Sequence, residues 1–591
     1  MWASYFNNEQ VNKMGKIKSP RTTNIASMKT GAVAFYSSLR DTAQLSKVKD
    51  TEDFMDSVVT TNDAINSSIA GSGSIVMPPK LAELYNELDD GDKTRLTTAL
   101  LDSITRYEDA HGQEPSPDLI DQAVNTLWQF THPGQNAVQK ITGSRDAFLD
   151  SATNQVPDTG SLQINRAIVS LQNTFATAIP WIMSVPTDIR SGEGKLIIVE
   201  HRAHLLNGGY AENENMDGVN SGKRFFRANR ISTAVNDAGT HEGQITSIQL
   251  TSETCQTVAN GATAAKLVKG QGVVYIGGVP VAKEVNKTDT VSTVSGSVVL
   301  AGTTYQIGGT INNDTGVYAL TSTPALSNGV TVLVEGQIDF NRQPELISEI
   351  DLEVVDYNFL ANVTRGNVTV GIDSNSQLAR EVGLDSMSNL LGTMQLQLGN
   401  EDHYTALQYA RRIAKSYTAT WDMSLWLDTG AQTRGQNVQD ITIPLSVLSQ
   451  DMAVRTNTTG ITHLYVGKTI ASWLNNLVLG GRFVPSGIRP RPGIYRLGTL
   501  DGQYEVYYSP DQPETTTSGV TSAEVLCIGQ SQDVARSGLV TGQSVAPIML
   551  EVGKTKNGDS GVHYFRKDFM RVNPHKQSAL AFATLTLTGL K

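Results

Sequence analysis

Near the middle of the chain, apolar positions recur at steps of three or four. Leu407, Ala410, Ala414, Tyr417, Trp421 and Leu425 fall on one helical face. Asn400 stands ahead of them as an N-cap, and Glu401 and Asp402 place negative charge in the first turn, where the helix dipole favours it. Arg411, Arg412 and Lys415 lie largely beside the stripe, and no Pro or Gly interrupts the run from Glu401 to Thr429. The pattern predicts one helix over Asn400–Leu427, about 40 Å long at about 1.5 Å per residue. A plain core helix and a backbone on which other elements hang both fit this periodicity.

Helical spacing also marks Pro79–Glu108, with Leu81, Leu84, Tyr85 and Leu88 on one face. It marks Ser116–Phe130 through Leu119, Ile120, Ala123, Leu127 and Phe130. A short helix over 161–178 ends before Pro180, and Lys195–His201 reads as a strand. Gly208, Gly209, Gly218 and Gly222 then mark a loop-rich excursion. Residues 242–343 are nearly all β. Gly270–Val281, Val291–Leu300, Thr303–Ile307, Val317–Thr321 and Val330–Val334 are short runs with β-branched residues, separated by Gly, Asn, Asp and Pro. That spacing predicts a small sandwich or barrel inserted into a host domain. Strands resume at Ile350–Val355 and Asn362–Ile372, and a helical stretch over Gln377–Leu398 leads into the long helix.

Beyond it, Ile441–Ala453 and Lys468–Leu479 read as helices, with His463–Val466 a strand between them. Tyr495–Leu500 and Gln503–Tyr508 form a hairpin around Asp501-Gly502. Ala523–Gly529 is a strand. A glycine-punctuated loop leads to Ile548–Val552, and His563–Val572 and Leu580–Leu587 close the chain around Pro574.

Composition narrows the function. The 591 residues suffice for two to four domains, and 39% hydrophobic with 18% charged residues is globular. A net charge of −11 argues against a general nucleic-acid binder. The charge is unevenly placed: residues 1–50 carry eight basic and three acidic residues, whereas 51–150 carry six basic and seventeen acidic. The sign change suggests an extension whose two parts face each other or a partner, or simply a solvated helical appendage. Cys255 and Cys527 are the only cysteines, so neither a disulfide framework nor a cysteine zinc site is expected. The start Met1-Trp2-Ala3-Ser4 does not read as a secretory signal, and the uncharged run 167–187 holds Pro180 and Pro186 and makes a poor membrane span. A soluble protein of the cytosol is the expectation.

Candidate chemistry is sparse. Gly467-Lys468-Thr469 ends like a phosphate loop, but Thr462 stands where the leading glycine belongs, so a helix start is the better reading. Gly270-Gln271-Gly272 and Gly277-Gly278 lie between β runs, the wrong context for a dinucleotide fingerprint. His201 and His204, next to Glu200, have H-x-x-H spacing, but on a strand their rings point to opposite faces. Asp89-Asp90-Gly91-Asp92 lacks the ligand spacing of a calcium loop and reads as a solvated turn. No G-x-S-x-G elbow or H-E-x-x-H is present. No catalytic, cofactor or metal site is therefore expected, and a structural role is favoured over an enzyme.

Several local stretches, in order, resemble the major capsid proteins of tailed bacteriophages with the Hong Kong-type fold, most of all the major head proteins of T-even-like and other large myoviruses. These stretches are Thr462-His463-Leu464-Tyr465-Val466 before a helix, the hairpin Leu500-Asp501-Gly502-Gln503-Tyr504-Glu505-Val506-Tyr507, and Val525-Leu526-Cys527-Ile528-Gly529 followed by Val545-Ala546-Pro547. The last is Phe565-Arg566-Lys567-Asp568-Phe569-Met570-Arg571-Val572-Asn573-Pro574. The resemblance implies an α+β chain with an N-arm (159–194), an E-loop region (195–355) carrying the inserted β domain 242–343, and an axial domain (437–555). The peripheral domain would be 356–436 with 556–591, built on a spine helix at 400–427. Residues 1–158, a basic arm (1–50) and a helical part (51–150), depart from the pattern, as does the β insertion.

By the same resemblance the partner is the chain itself, in hexameric and pentameric capsomers of an icosahedral head assembled in the host cytoplasm. Scaffold, portal, vertex and cement proteins would be further partners, packaged DNA would be touched only non-specifically, and no membrane or cofactor is involved. The rival readings are a pentameric vertex protein of the same fold and a β-rich tail or adhesion protein. A nanocompartment shell has the same fold in a much shorter chain. Relatives of this kind often lose an N-terminal segment to a protease that cuts after glutamate. Here Leu81-Ala82-Glu83 is the conceivable site, but it lies on a predicted helix, where access is poor. Residues 1–158 are thus expected to be kept, which mass spectrometry of the subunit from mature heads checks; a mass short by an N-terminal fragment would show a transient assembly domain instead.

Overall fold

The computed structural model describes residues 34–43, 50–69, 75, 77–116, 119–124, 127, 168, 171–172, 174–185, 187, 191–237, 239–251, 253–258, 261–286, 288–327, 329–371, 386–424, 439–475, 477, 481–517, 520–531, 534–552 and 560–590. They fall into two compact units, one of Met1–Leu196 with Asp356–Lys591 and one of Ile197–Val355.

The first unit is built on an eight-stranded sheet. Its order is β14 (Thr418–Asp422), β23 (Phe582–Leu590), β20 (Val520–Ile528), β15 (His463–Val466), β18 (Tyr504–Tyr508), β17 (Tyr495–Leu500) and β16 (Phe483–Pro485), with β19 (Glu514–Thr517) paired to β20. Strand alternation sends neighbouring side chains to opposite faces, and here both faces are covered. Leu464, Val466, Val506, Val525, Cys527, Ala583 and Leu585 form one core with Leu445, Leu448 and Met452 of the helix Thr442–Thr456 and Ile470 and Leu474 of the helix Lys468–Leu474. Tyr465, Tyr507, Leu526, Ile528 and Phe582 point the other way, onto Ala406, Leu407, Ala410 and Ala414 of the long helix Ser386–Ala414. Small residues on that helix face let it approach the aromatic side chains closely. Asp501 and Gly502 both have positive φ, 51° and 67°, in the three-residue turn that joins Leu500 to Tyr504.

A second sheet has the order β1 (Met183–Ser184), β21 (Leu539–Val552), β22 (Ser560–Val572) and β13 (Asn362–Val370). The acidic N-terminal region makes its own core. The helices at 34–43, Thr51–Ile69, Pro79–Glu87 and Asp90–His111 bury Phe35, Leu39, Val58, Ile65, Leu81, Tyr85, Leu100 and Ile104 against Leu119, Ile120 and Ala123.

The second unit contains a nine-stranded antiparallel sheet in the order β3 (Asn229–Thr233), β11 (Val332–Gln337), β6 (Val273–Ile276), β7 (Val279–Glu284), β8 (Val291–Leu300), β9 (Thr303–Asn312), β10 (Val317–Thr323), β5 (Thr240–Gln244) and β4 (Val235–Asp237). Its two ends are one bent strand. Asn229–Thr233 pairs with β11, Ala234 donates its N–H to Val332 at 2.9 Å, and Val235–Asp237 then pairs with β5. The switch closes the sheet into a barrel around Ile245, Val274, Ile276, Val294, Ile311, Leu320 and Val334. Of the two forms expected for this insertion, it is the barrel. Strands β2 (Glu193–Ala203) and β12 (Ile350–Leu360) pair with each other as a two-stranded ribbon, and the ends of β2 also bridge Thr187 and Asn215.

Several expectations need correction. The helix expected over Asn400–Leu427 ends at Ala414 and begins at Ser386, with Asn400 in its interior rather than at its N-cap. Thr418–Asp422 is a strand, parallel to Phe582–Leu590 with Trp421 opposite Leu587. A step of four, as from Tyr417 to Trp421, keeps a residue on one face in a helix and in a strand alike, so it could not separate the two. Leu425 and Phe130 lie outside the described residues. The helix Thr51–Ile69 lies in the part 51–150 expected to be helical, though with no bounds set for it, and the helix expected over Pro79–Glu108 is broken at Leu88 and Asp89. The cluster expected to be a solvated turn at Asp89-Asp90-Gly91-Asp92 opens a helix, with Asp90 and Asp92 in its first turn. The expected loop before Ile548 is strand from Leu539 onward. Pro547 sits in an irregular stretch of register between Val545 and Ile548, where a missing N–H is tolerated.

Gly296 tests the barrel separately from the rest. A Cβ there would meet the Val281 carbonyl oxygen at 2.1 Å and the Ala282 Cα at 2.6 Å. Gly296→Ala should destabilise the second unit by about 1–3 kcal/mol. In thermal unfolding, the transition of the second unit should fall in temperature while that of the first unit stays in place.

Candidate functional site: a buried histidine and tyrosine cluster

All four residues of His463–Val466 are buried, so this strand has no solvent face. It runs parallel to β18 in a register that sets Tyr465 beside Tyr507. The two rings stack with centroids 5.3 Å apart. Trp181 Nε1 donates to the Tyr465 hydroxyl at 2.9 Å, and His403 Nε2, from the long helix, lies 2.8 Å from the same oxygen. An indole N–H can only donate, so the tyrosine oxygen accepts there, and the direction of the His403 contact follows the imidazole tautomer. His463 lies against the Tyr507 ring with centroids 6.0 Å apart. Its Nδ1 is 2.8 Å from Thr462 Oγ1, and its buried Nε2 has no hydrogen-bond partner among the described residues. From the N-terminal region, His111 brings Nδ1 to 3.2 Å from the Tyr507 hydroxyl.

Burial governs the electrostatics. It holds the His403 and His463 pKa values down to about 3 and that of His111 to about 4. Arg496 and Arg491 further disfavour charge on His111. Burial also raises Tyr465, Tyr507 and Tyr107, so every ring in the cluster is neutral at pH 7. Beside it lies a cavity of about 480 Å³, lined by Tyr107, His111, His403, Arg491, Arg496 and Tyr507 among others. Its far wall is an ion-pair ladder: Arg566 forks onto both oxygens of Asp402 at 2.6 Å and reaches Asp568 at 3.2 Å. Arg496 is held by Glu505 at 2.6 Å. Groups that are neutral or already paired make a joint between elements; they offer no nucleophile with an adjacent base.

The motifs singled out in the sequence lie elsewhere. Gly467-Lys468-Thr469 is a helix start, and the Thr469 backbone N–H and hydroxyl both donate to Glu514 at 2.9 Å. A carboxylate of the chain itself thus occupies the place a phosphate would take. Gly277-Gly278 is the turn between β6 and β7, and the Gly270 and Gly272 N–H groups hold the buried Glu284 carboxylate at 2.8 and 3.0 Å. His201 and His204 each have their own carboxylate, Asp217 at 3.0 Å and Asp351 at 2.7 Å. Asp351 also holds the exposed His204 above its ordinary pKa. Among the described residues, no group of three or more His, Cys, Asp and Glu is placed to hold a metal ion. No helix among them is long and apolar enough to cross a membrane. The cluster itself was not anticipated, although a histidine and a tyrosine alternating with Leu464 and Val466 in a short β run were a visible sign of a strand covered on both faces.

The chain is similar to several solved shell structures. The capsid protein of the jumbo bacteriophage PhiKZ is 10% identical with a TM-score of 0.33, over 69% of this chain and 91% of that one. The capsid protein of Myoviridae phage XM1 is 10% identical with a TM-score of 0.25, over 57% and 96%. The SrpI encapsulin of Synechococcus elongatus PCC 7942 is 13% identical with a TM-score of 0.24, over 40% and 77%. No family model and no curated protein matches the chain.

Asp402→Asn should cost about 3 kcal/mol, because the Arg566 guanidinium, whose side chain is 11% exposed, loses its forked partner. Urea denaturation checks this, and the triple variant Asp402→Leu/Arg566→Met/Asp568→Leu, which leaves no charge unpaired, should recover most of the loss.

Proposed function

We propose that this chain is a structural subunit that self-associates into the shell of a tailed-phage head. The observation that carries the reading is the two-stranded ribbon of β2 and β12. Ile197 and Val199 are each 43% exposed, and Ile350, Leu352 and Val354 are 43%, 63% and 56% exposed. A two-stranded ribbon is marginal in water by itself, and clustered exposed apolar side chains mark surfaces that are covered on association. Arg202, held within its own strand by Glu200 at 3.2 Å, pairs across with Glu353 on the face opposite the exposed apolar residues.

In this reading the ribbon is the E-loop, and its apolar residues lie against a neighbouring copy. Contacts that repeat head to tail and close into rings give hexameric and pentameric capsomers. The net charge of −11 suits a wall that repels packaged DNA and so lets it slide during filling. The head would assemble in the host cytoplasm, and scaffold, portal, vertex and cement proteins would be partners of the finished shell.

Expression of the full chain followed by negative-stain imaging and sedimentation tests this. The parent chain should form closed shells. The double variant Leu352→Lys/Val354→Lys should unfold at an unchanged temperature and remain as small species. Normal shells from the variant, or a parent chain that stays monomeric at every concentration, would overturn the reading.

A further inference from the structure

The apolar core of the helical N-terminal region takes in Leu171 and Phe175, and the core of the sheet body begins just after them at Ile179 and Trp181. Away from that chain link the contact is largely polar and partly hollow. His111 meets Tyr507, Gln122 Nε2 donates to Gln543 Oε1 at 2.9 Å, and Ser184 donates to Gln122 Oε1. The cavity of about 480 Å³ lies alongside. A joint of this kind separates at less cost than a close-packed apolar one, which would expose its core.

We propose that this joint is an acid-released latch, in which uptake of protons by His111, His403 and His463 frees the helical region 34–127 from the body. The surroundings leave a charged imidazole nowhere to go. Facing His111 are the Tyr507 hydroxyl on β18, Arg496 on β17 and Arg491 in the loop before it; Tyr107 stands one turn earlier on its own helix. His403 and His463 approach from the long helix and β15, and each is disfavoured as a cation by His111. The nearby carboxylates are engaged. Glu505 holds Arg496, Asp402 holds Arg566, Glu108 accepts from Tyr36, and Glu114 pairs with Arg40.

The sign follows from linkage. Burial holds His111 at about 4 in the docked state, and release returns it toward its ordinary value of about 6.5. The released state therefore binds more protons. Docking is fully favoured above about pH 6.5 and is lost as pH falls from there toward 4. For His111 alone the release equilibrium shifts about 30-fold between pH 7.5 and pH 5, and the other two histidines add to this.

Hydrogen exchange of the full chain at pH 7.5 and pH 5, expressed as protection factors, tests the latch. Peptides from Asp90–His111 should lose about 30-fold or more in protection, while peptides from Val291–Leu300 of the barrel keep theirs. His111→Gln, which can still bond Tyr507 but gains no proton, should stay docked at pH 7.5 and lose about 30-fold of the acid response. Equal protection of Asp90–His111 at the two pH values, or an unaltered acid response in H111Q, would overturn the proposal. Should H111Q already be released at pH 7.5, His463→Gln carries the test: a diminished acid response supports the latch and an unchanged one overturns it.

Discussion

The first unit depends on a sheet that has no solvent face at its centre. Parallel pairing of His463–Val466 with Tyr504–Tyr508 places Leu464, Val466 and Val506 on one side and Tyr465 and Tyr507 on the other. Each side must then be roofed, by the helices Thr442–Thr456 and Lys468–Leu474 on one face and by Ser386–Ala414 on the other. A shift of one residue in that register would exchange the two sets and drive tyrosine hydroxyls into an aliphatic core. The register is held because those hydroxyls find Trp181, His403 and His111 only where they are. Polar satisfaction, more than apolar area, thus selects one arrangement among the close-packed ones.

The same polar preference divides the unit. Where the body meets the N-terminal helices, imidazoles, amides and hydroxyls replace aliphatic side chains, and packing gives way to a cavity. Each partner has an apolar core, and the joint between them ties the end of the helix Asp90–His111 to the sheet. A joint built in this way is set by protonation and hydrogen bonding, whereas the cores to either side are set by burial.

The second unit solves a different problem. An open nine-stranded sheet would leave two unpaired edges, and exposed edges invite pairing with other chains. The bend at Ala234 lets one strand serve both edges and removes them. Strands β2 and β12 form a two-stranded ribbon that carries the exposed Ile197, Leu352 and Val354. Exposed apolar side chains therefore concentrate on the ribbon, where the proposed self-association has most to gain.

Local chemistry determined much of this in advance. The Asp501-Gly502 turn, the strand His463–Val466, the helix start at Gly467 and the succession of β runs from 270 to 334 follow from turn residues, β-branched runs and periodicity, all short-range properties. The same arguments favoured a helix start at Gly467-Lys468-Thr469, and a helix begins there with its Thr469 N–H on Glu514. Long-range choices were not legible. Trp421 satisfied helical and strand spacing equally, and only the free edge of Phe582–Leu590 made the strand the better answer. Pro547 and Gly542 suggested a loop, yet Ser560–Val572 draws them into a ladder that tolerates its irregularities. The cluster of His111, His403, His463, Tyr465 and Tyr507 joins segments up to 396 residues apart, as in the bond from His111 to Tyr507. Each of its members is unremarkable in its own stretch of sequence. Their chemistry arises from mutual burial, and burial is decided only when distant elements pack.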